Sequence, residues 1–355
     1  MSVLWFVCVL LAVLLALGHF GLPEKRLPPP PDPTPARIMA GAEPWRLEGD
    51  SGIAFLICHG FRGSPFNVKP LGEFIHSLGH TAIGVLLPGH GTRIEDMART
   101  RFYHLVDFVE RHYLAERSKY RKIFLVGFSM GGTICLRVAA RNADTFRPAG
   151  IITISSPVFF NGFYNGRFIM HQPATVISGI LRHIKPILPM GDRPRGTEKL
   201  SPWVGYAREV SVECLHSFKL ALGEVRRGLS RISVPYCSII AANDRTVSPE
   251  NQIYIHNHIQ SREKRAFMFI LPPDLSTMHT LLTHVRARNR VFRHIESFIR
   301  DTLEEYGERE GHEARGRFAN GRPGFWKRLL GGSKQPLRQP DNLVDPHTER
   351  RASRR

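Results

Sequence analysis

The sequence KIFLVGFSMGGTICLRVAA, residues 122–140, is the stretch from which the fold is predicted. Its apolar start, KIFLV, is typical of a buried strand, and GGTICLRVAA has the apolar spacing of a helix. Between them, Gly127-Phe128-Ser129-Met130-Gly131 fits G-x-S-x-G, in which a serine occupies a strained turn from strand to helix. Glycines suit such a turn because its backbone is crowded. We therefore predict that Ser129 is a nucleophile at the end of a strand.

Strand and helix patterns alternate on both sides of this motif. Short apolar runs that end in turn residues predict further strands at residues 52–58, 81–87, 151–154, 236–241 and 266–271. Amphipathic spacing predicts helices at residues 68–78, 102–118, 131–141, 249–259 and 286–302. Such alternation predicts an α/β fold, a mostly parallel sheet with helices on both faces. Ligands of these sheets bind beyond the carboxyl ends of the strands, where the motifs lie.

One segment, residues 157–233, interrupts the alternation. It separates two predicted strands by far more than an ordinary connection. Helical patterns at residues 174–187 and 210–229 lie within it. We interpret the segment as an inserted helical cap over the site.

A serine hydroxyl becomes a good nucleophile only when a base takes its proton, so a histidine is required. The chain order for this turn motif is serine, acid, histidine. His279 is the predicted base because it lies in a loop after the last strand, and His284 is the alternative. Three further histidines lie inside predicted helices: His256, His258 and His294.

The predicted acid, which orients the imidazole, is Asp244, just after the strand at residues 236–241. Glu250, in the following helix, is the fallback. An oxyanion hole needs two backbone N–H groups, which we assign to Met130 and to Phe61, after the first strand. His59, beside Phe61, is interpreted as structural.

Several motifs in a fixed order resemble the bacterial carboxylesterase and monoacylglycerol-lipase branch of the α/β-hydrolases. The matching pieces run from residue 52 to residue 299: HGFRGSPFNVKPLGEFI from His59, LLPGHGT from Leu86, VGFSMGG from Val126, LSRISVPYCSIIAANDRTVSPEN from Leu229 and STMH from Ser276. Two positions depart from the branch. Ala242-Asn243-Asp244 lacks its usual glycine, and Phe128 stands where an aliphatic residue is common, so substrate fit is affected rather than mechanism.

The resemblance implies the α/β-hydrolase fold and a serine hydrolase that cleaves carboxylic esters through an acyl-enzyme, with no metal and no cofactor. Monoacylglycerols or other small, lipid-like esters are the expected substrates. Thioester or amide cleavage and acyl transfer use the same three side chains and remain alternatives, as does a non-catalytic, membrane-tethered binding module. The complete set of predicted groups argues against the last.

The ends of the chain differ from its centre. Residues 1–22 hold an apolar run of roughly the 20 residues that span a bilayer, with basic residues only after it. We expect an uncleaved single-pass anchor in the inner membrane and a cytoplasmic catalytic domain; a cleaved signal peptide with a secreted or periplasmic enzyme is the alternative. A proline-rich linker at residues 23–45 would precede the hydrolase domain at residues 46–303, and residues 304–355 are predicted to form a basic, disordered tail.

The charge and the cysteine content limit which binding partners and which cysteine chemistry are expected. The net charge is +18, but the basic residues are scattered and no nucleic-acid-binding motif is recognisable, so no nucleic-acid partner is expected. A diffuse positive field also suits anionic membrane surfaces or acidic substrates. The five cysteines are widely spaced, which favours free thiols over disulfides or a zinc site. The oligomeric state cannot be read from the sequence.

Overall fold

A computed structural model of the protein describes residues 3–21, 26–30, 34–274 and 276–317. Its strands are β1 (Trp45–Leu47), β2 (Ile53–Cys58), β3 (Thr81–Val85), β4 (Lys122–Phe128), β5 (Gly150–Ile154), β6 (Asn161–Tyr164), β7 (Arg167–Met170), β8 (Ile187–Pro189), β9 (Glu209–Ser211), β10 (Tyr236–Ala241) and β11 (Lys264–Phe269). Its α-helices are α1 (Val3–Phe20), α2 (Lys69–Ser77), α3 (Ile94–Ala98), α4 (Phe102–Arg117), α5 (Met130–Arg141), α6 (Ser178–Ile184), α7 (Thr197–Leu200), α8 (Val212–Gly228), α9 (Glu250–His258) and α10 (Arg288–Arg317).

Within the described residues, the main sheet has seven strands in the order β1-β3-β2-β4-β5-β10-β11. Every neighbouring pair is parallel except β1 and β3, which run antiparallel at one edge. Strands β2, β3, β5 and β10 are buried along their whole length, as expected for a sheet covered on both faces. Because β2, β4, β10 and β11 are parallel, the loops at their carboxyl ends meet at one edge of the sheet. The predicted fold is confirmed.

The edge strand β1 was not predicted, and its first residue falls in the segment interpreted as a linker. The ring of Trp45 packs directly against Gly72 and Gly84. A Cβ added to Gly72 would lie 2.1 Å from the ring and one added to Gly84 would lie 2.2 Å from it, so no larger residue fits at either position. The indole N–H of Trp45 also donates a 3.0 Å hydrogen bond to the carbonyl of Pro65. These contacts are distant in sequence, so a local pattern does not reveal them.

The segment between β5 and β10 is less helical than predicted. Helices α6 and α8 correspond to the two predicted helices, but two short antiparallel pairs, β6–β7 and β8–β9, accompany them. Helix α6 is shorter than predicted because Pro186 disfavours helical backbone at Lys185, whose φ is −143°.

The amino-terminal segment corrects a prediction. Among the described residues, the structure contains no helix that is both long and apolar enough to cross a membrane. The predicted inner-membrane anchor is therefore wrong, as are the membrane contact and the localisation inferred from it. The carboxyl end of α1 instead packs on α6, where a Cβ on Gly179 would lie 2.4 Å from the carbonyl oxygen of Leu17.

The chain divides into two units, Met1–Glu304 and Glu305–Arg355. Helix α10 ends at Arg317, beyond residue 304, where the sequence predicted the tail to begin. The predicted tail after residue 317 lies outside the described residues, as do residues 1, 2 and 22 of the predicted anchor and residues 23–25 and 31–33 of the predicted linker.

Candidate active site

Ser129 occupies a tight turn between β4 and α5. Its φ of 54° and ψ of −125° lie in a region that non-glycine residues rarely adopt, so the backbone is strained at this point. A 2.8 Å hydrogen bond from its N–H to the carbonyl of Ile154 ties the turn to the neighbouring strand. This is the strained strand-to-helix geometry expected of a nucleophile elbow.

The glycines around Ser129 allow the close approach of three backbone segments. A Cβ on Gly127 would lie 2.2 Å from the backbone nitrogen of Gly132, and one on Gly131 would lie 2.3 Å from the carbonyl oxygen of Cys58. A Cβ on Gly132 would come within 1.9 Å of the hydroxyl of Ser156. Since real Cβ atoms do not tolerate such contacts, packing requires glycine at these three positions of GFSMGG.

The structure brings the three predicted polar side chains together in one hydrogen-bonded chain. The Ser129 hydroxyl donates to Nε2 of His279 at 3.0 Å, and Nδ1 of His279 donates to Oδ2 of Asp244 at 2.7 Å. The exposed fractions of Ser129, His279 and Asp244 are 8%, 6% and 4%. Both bonds are therefore shielded from water, although the three residues come from separate loops of the sheet edge.

The carboxylate of Asp244 is held by its own turn. Oδ1 accepts hydrogen bonds from the N–H groups of Thr246 at 2.7 Å and Val247 at 3.0 Å, which leaves Oδ2 for the imidazole. The N–H of Arg245 donates to the carbonyl of Thr277 at 2.9 Å, so the acid loop is joined directly to the histidine loop. These bonds fix the distance between acid and imidazole.

Phe128, which departs from the usual pattern, packs beside the imidazole. The ring centroids of Phe128 and His279 are 5.0 Å apart at an angle of 42°. Phe128 thus supports one face of the imidazole.

Phe61 and Met130, the predicted oxyanion donors, belong to the two backbone segments that meet at the serine turn. As the first residue of α5, Met130 has no carbonyl partner for its N–H inside the helix. The loop that carries Phe61 approaches the serine closely, since a Cβ on Gly60 would lie 3.0 Å from the Cβ of Ser129. The assignment of these two N–H groups to an oxyanion hole stays a prediction.

His59 organises the loop that carries Phe61. Its Nδ1 donates to the carbonyl of Gly60 at 2.9 Å, and its Nε2 accepts from the N–H of Leu87 at 3.1 Å. Burial, together with the nearby His90, holds the pKa of His59 well below its ordinary value, so the ring is neutral. A neutral, fully buried ring with both nitrogens engaged suits a structural role.

The alternative histidine lies away from the serine. Nε2 of His284 bonds Oδ2 of Asp274 at 3.0 Å, and Nδ1 accepts from the N–H of Arg286. Burial alone would raise the pKa of Asp274, but hydrogen bonds from Ser276 and His284 lower it. His284 and Asp274 therefore form a separate buried pair.

The alternative acid, Glu250, is also placed elsewhere. It bonds the hydroxyl of Ser248 and forms a 3.0 Å ion pair with Arg167 of β7. The remaining histidines, His256, His258 and His294, lie in α9 and α10.

Sequence reasoning missed Arg62, whose contacts join the loop of Phe61 to the cap. Its Nε donates to the carbonyl of Tyr206 at 2.9 Å, and its Nη2 donates to that of Ala207 at 2.8 Å. The N–H of Tyr206 donates back to the carbonyl of Arg62 at 2.8 Å. The arginine in the HGFRG motif was visible, but its partners lie 144 and 145 residues away, so no local signal revealed the contact.

In the part of the chain that the structure describes, no group of three or more His, Cys, Asp or Glu side chains is arranged to bind a metal.

The fold and the strand–turn–helix at Ser129 define the class of the protein, an α/β-hydrolase. The chain belongs to the family described as Hydrolase_4, serine aminopeptidase, S33, whose model matches residues 51–270.

Known proteins agree with this assignment. The chain is 30% identical over 230 residues to the thermostable monoacylglycerol lipase of Bacillus sp. (strain H-257), a match that covers 64% of this chain and 84% of the lipase. It is 22% identical over 221 residues to the carboxylesterase of Bacillus subtilis (strain 168), covering 61% and 81%. A solved structure from work on the metagenome-derived lipolytic enzymes LipS and LipT superimposes with a TM-score of 0.64 at 23% identity, covering 74% of this chain and 99% of that one. The chain is therefore an enzyme, an α/β-hydrolase of the esterase and lipase kind.

Proposed function

We propose that the protein hydrolyses carboxylic esters of monoacylglycerol-like or other small, lipid-like substrates through an acyl-enzyme on Ser129. His279 acts as general base and then as general acid, and Asp244 orients the imidazole. The N–H groups of Phe61 and Met130 form the oxyanion hole.

In the first half-reaction, the Ser129 oxygen attacks the ester carbonyl carbon while its proton passes to Nε2 of His279. The carbonyl π electrons move to the oxygen, whose negative charge is stabilised by the N–H groups of Phe61 and Met130. The tetrahedral intermediate collapses, the bond to the alcohol oxygen breaks, and the alcohol leaves with the proton from His279. Water then attacks the carbonyl carbon of the acyl-enzyme while its proton passes to His279. The second tetrahedral intermediate collapses, the bond to the Ser129 oxygen breaks, that oxygen takes the proton back from His279, and the carboxylic acid is released.

The observation that carries the proposal is the continuous hydrogen-bonded chain from Ser129 through His279 to Asp244, at 3.0 and 2.7 Å. Only one nitrogen of His279 faces the serine, because the other is engaged by the carboxylate. The imidazole tautomer with its proton on Nδ1 leaves Nε2 free to accept the serine proton. The strained backbone at Ser129 supports the same interpretation.

Aromatic side chains next to Phe61 support the proposal that the substrate carries a lipid-like acyl group. The ring of Phe218 on α8 lies 6.5 Å from that of Phe61 and 5.3 Å from that of Phe160, measured between centroids. Such surfaces favour apolar chains over polar ones. The names of the two relatives, a monoacylglycerol lipase and a carboxylesterase, point to the same substrate class.

The proposal also includes the domain organisation of the chain. Residues 46–303 form the hydrolase domain and residues 157–233 its cap, between a linker at residues 23–45 and a tail at residues 304–355. The cap elements from β6 to α8 support this division, since they interrupt the main sheet between β5 and β10.

The test combines covalent labelling with a substrate panel. The full-length protein is treated with a fluorophosphonate probe and assayed on p-nitrophenyl esters and monoacylglycerols of rising chain length. We expect labelling of the wild type and none of Ser129→Ala, whereas the exposed Ser118→Ala retains labelling and turnover. Ester turnover in a folded Ser129→Ala protein would contradict the proposal.

Amide and thioester substrates decide the reaction class. Because the family model is described as a serine aminopeptidase, the panel includes an aminoacyl p-nitroanilide and an acyl thioester. We expect the highest kcat/KM for an oxygen ester. A higher value for the anilide or the thioester would replace ester hydrolysis by that reaction, while the role of Ser129 would stand.

A further inference from the structure

A cavity of about 630 Å³ lies where the carboxyl end of α1 meets helices α4, α5 and α8. Its volume falls within the range of roughly 300–1,000 Å³ that is usual for small-molecule sites. Neither Ser129, His279 nor Asp244 belongs to its lining in the part of the chain that the structure describes. The cavity is therefore a candidate for a second binding site.

One part of the lining is made of guanidinium groups. The arginines of the described chain that line the cavity are Arg26, Arg101, Arg137, Arg141 and Arg182. In the described lining, Glu224 is the sole carboxylate, and it pairs with Arg137 at 2.8 Å. Arginines therefore outnumber carboxylates in the described lining.

The other carboxylates that pair with these arginines lie outside the lining. Asp107 and Glu110 contact Arg141 at 2.7 and 3.0 Å, and Glu213 contacts Arg101 at 3.1 Å. Asp107 also pairs with Arg26 at 2.7 Å, and Glu213 with Arg182 at 3.4 Å, so these carboxylates hold the guanidinium groups in place. Planar guanidinium groups that are fixed in this way favour bidentate contact with carboxylates and phosphates.

Burial, together with nearby cations, lowers the pKa of two neighbouring groups on α8. The pKa of His216 is lowered to about 4 by burial and then by Lys219 and Arg182. The pKa of Lys219 is lowered to about 8 by burial and then by Arg182. Repulsion from neighbouring cations is the smaller cause of both shifts, and an anion nearby would reduce it.

The rest of the lining includes apolar side chains. Phe102 and Val106 of α4 face Leu220 and Ala221 of α8, and Phe20 ends α1 at the rim. Leu220 and Phe20 are exposed by 41% and 63%, so both side chains are accessible to a ligand. An apolar wall beside fixed guanidinium groups matches a ligand with an alkyl chain and an anionic head.

Aromatic packing separates this cavity from the proposed active site. The ring of Phe102 stacks on that of Phe218 with a centroid distance of 5.0 Å and an angle of 13°. Phe218 in turn contacts Phe61, so two buried rings lie between the cavity and the loop after β2. A ligand in the cavity would therefore leave Ser129 free.

We propose that this cavity binds a single-chain amphiphile with an oxyanionic head, a fatty carboxylate or an alkyl phosphate, at a site distinct from Ser129. The head contacts Arg137 and Arg141, and the chain lies against Phe102, Val106 and Leu220. A fatty carboxylate is also the acid that the proposed ester hydrolysis releases, and its identification as a reaction product rests on that proposed function.

The test measures binding of laurate to the full-length protein by calorimetry, before and after Ser129 is blocked with a fluorophosphonate. We expect one laurate per chain with an unchanged Kd after blocking. Dodecanol and inorganic phosphate, which each lack one half of the ligand, should bind at least about tenfold more weakly. Loss of laurate binding after blocking, or equal binding of dodecanol or phosphate, would overturn the proposal. A parallel titration with dodecyl phosphate compares the affinity of a phosphate head group with that of the carboxylate.

Variants locate the site. Arg137→Gln leaves Glu224 uncompensated in the lining, so we expect laurate to bind about tenfold more weakly. Leu220→Glu should weaken binding similarly, by adding a negative charge and removing apolar contact. The matched control is Arg231→Gln, whose partner Asp144 lies outside the lining, and it should bind as the wild type does. Unchanged affinity in both cavity variants, with thermal melts like the wild type, would exclude this site.

Failure of this proposal is distinguishable from failure of the proposed function. Binding that is insensitive to blocking of Ser129 stands whether or not the protein hydrolyses esters. Ester turnover that depends on Ser129 stands whether or not laurate binds in the cavity.

Discussion

The imidazole of His279 donates a 2.7 Å hydrogen bond to the carboxylate of Asp244, a side chain with no exposed surface. A buried carboxylate needs partners for both oxygens, and the N–H groups of Thr246 and Val247 supply those of the other oxygen. The orientation of the imidazole toward Ser129 thus depends on one short loop after β10.

Replacing Asp244 by Asn should keep the shape of this loop but favour the wrong tautomer of His279. We expect kcat for ester hydrolysis to fall by about 10⁴, with an unfolding temperature close to that of the wild type. Steady-state kinetics and thermal melts check both parts. Glu250→Gln is the control and should retain activity, because Glu250 bonds Ser248 and Arg167. The reverse pattern would assign the acid role to Glu250.

The two buried histidines, His279 and His284, should separate catalysis from stability. His279→Ala removes the group that accepts the serine proton, and we expect kcat to fall by about 10³ or more. His284→Ala should retain most of the activity but lower the unfolding free energy by about 1–3 kcal/mol, because it breaks a buried bond to Asp274. Parallel kinetics and urea unfolding distinguish them. If His284→Ala loses the activity instead, the base has been assigned incorrectly.

Gly131 is expected to be intolerant of even one methyl group. The Cβ of Gly131→Ala would lie 2.3 Å from the carbonyl oxygen of Cys58, so the serine turn and the loop of Phe61 must separate. We expect a loss of at least about 1–3 kcal/mol of stability and a lower kcat. The same change at Gly223 in α8, where the nearest atom is 3.7 Å away, should stabilise the protein by about 0.5–1 kcal/mol. Equal melts and rates for the two variants would contradict this account of the turn.

Arg62 is expected to position the N–H of Phe61 through the cap. Arg62→Gln loses charge-assisted bonds to the carbonyls of Tyr206 and Ala207, so we expect kcat to fall by about tenfold or more with a smaller change in KM. Arg62→Lys should recover part of kcat, because it keeps a charged donor. The exposed Arg208→Gln is the control and should behave as the wild type does. A lower unfolding temperature with unchanged kcat would reduce Arg62 to a structural role.

Local patterns in the sequence predicted much of the secondary structure and the three polar residues of the candidate site. A six-residue strand such as β10 and a helix such as α5 are encoded by their own apolar spacing, and their bounds agree with the prediction to within one residue. Ser129, His279 and Asp244 were also identified from motif and chain order, and the structure brings them together, while their catalytic roles stay predictions until tested.

Tertiary structure decided what depends on partners far away in the chain. The apolar run within residues 1–22 was predicted to span a membrane, yet the carboxyl end of α1 packs on Gly179 and is bonded by His216 and Lys219 of α8. The contact between Arg62 and Tyr206 and the arginine-lined cavity likewise join segments of different helices and loops. Hydropathy and motif spacing report the preference of a segment for an apolar or a polar environment. Which surface satisfies that preference is fixed only when distant segments fold against each other.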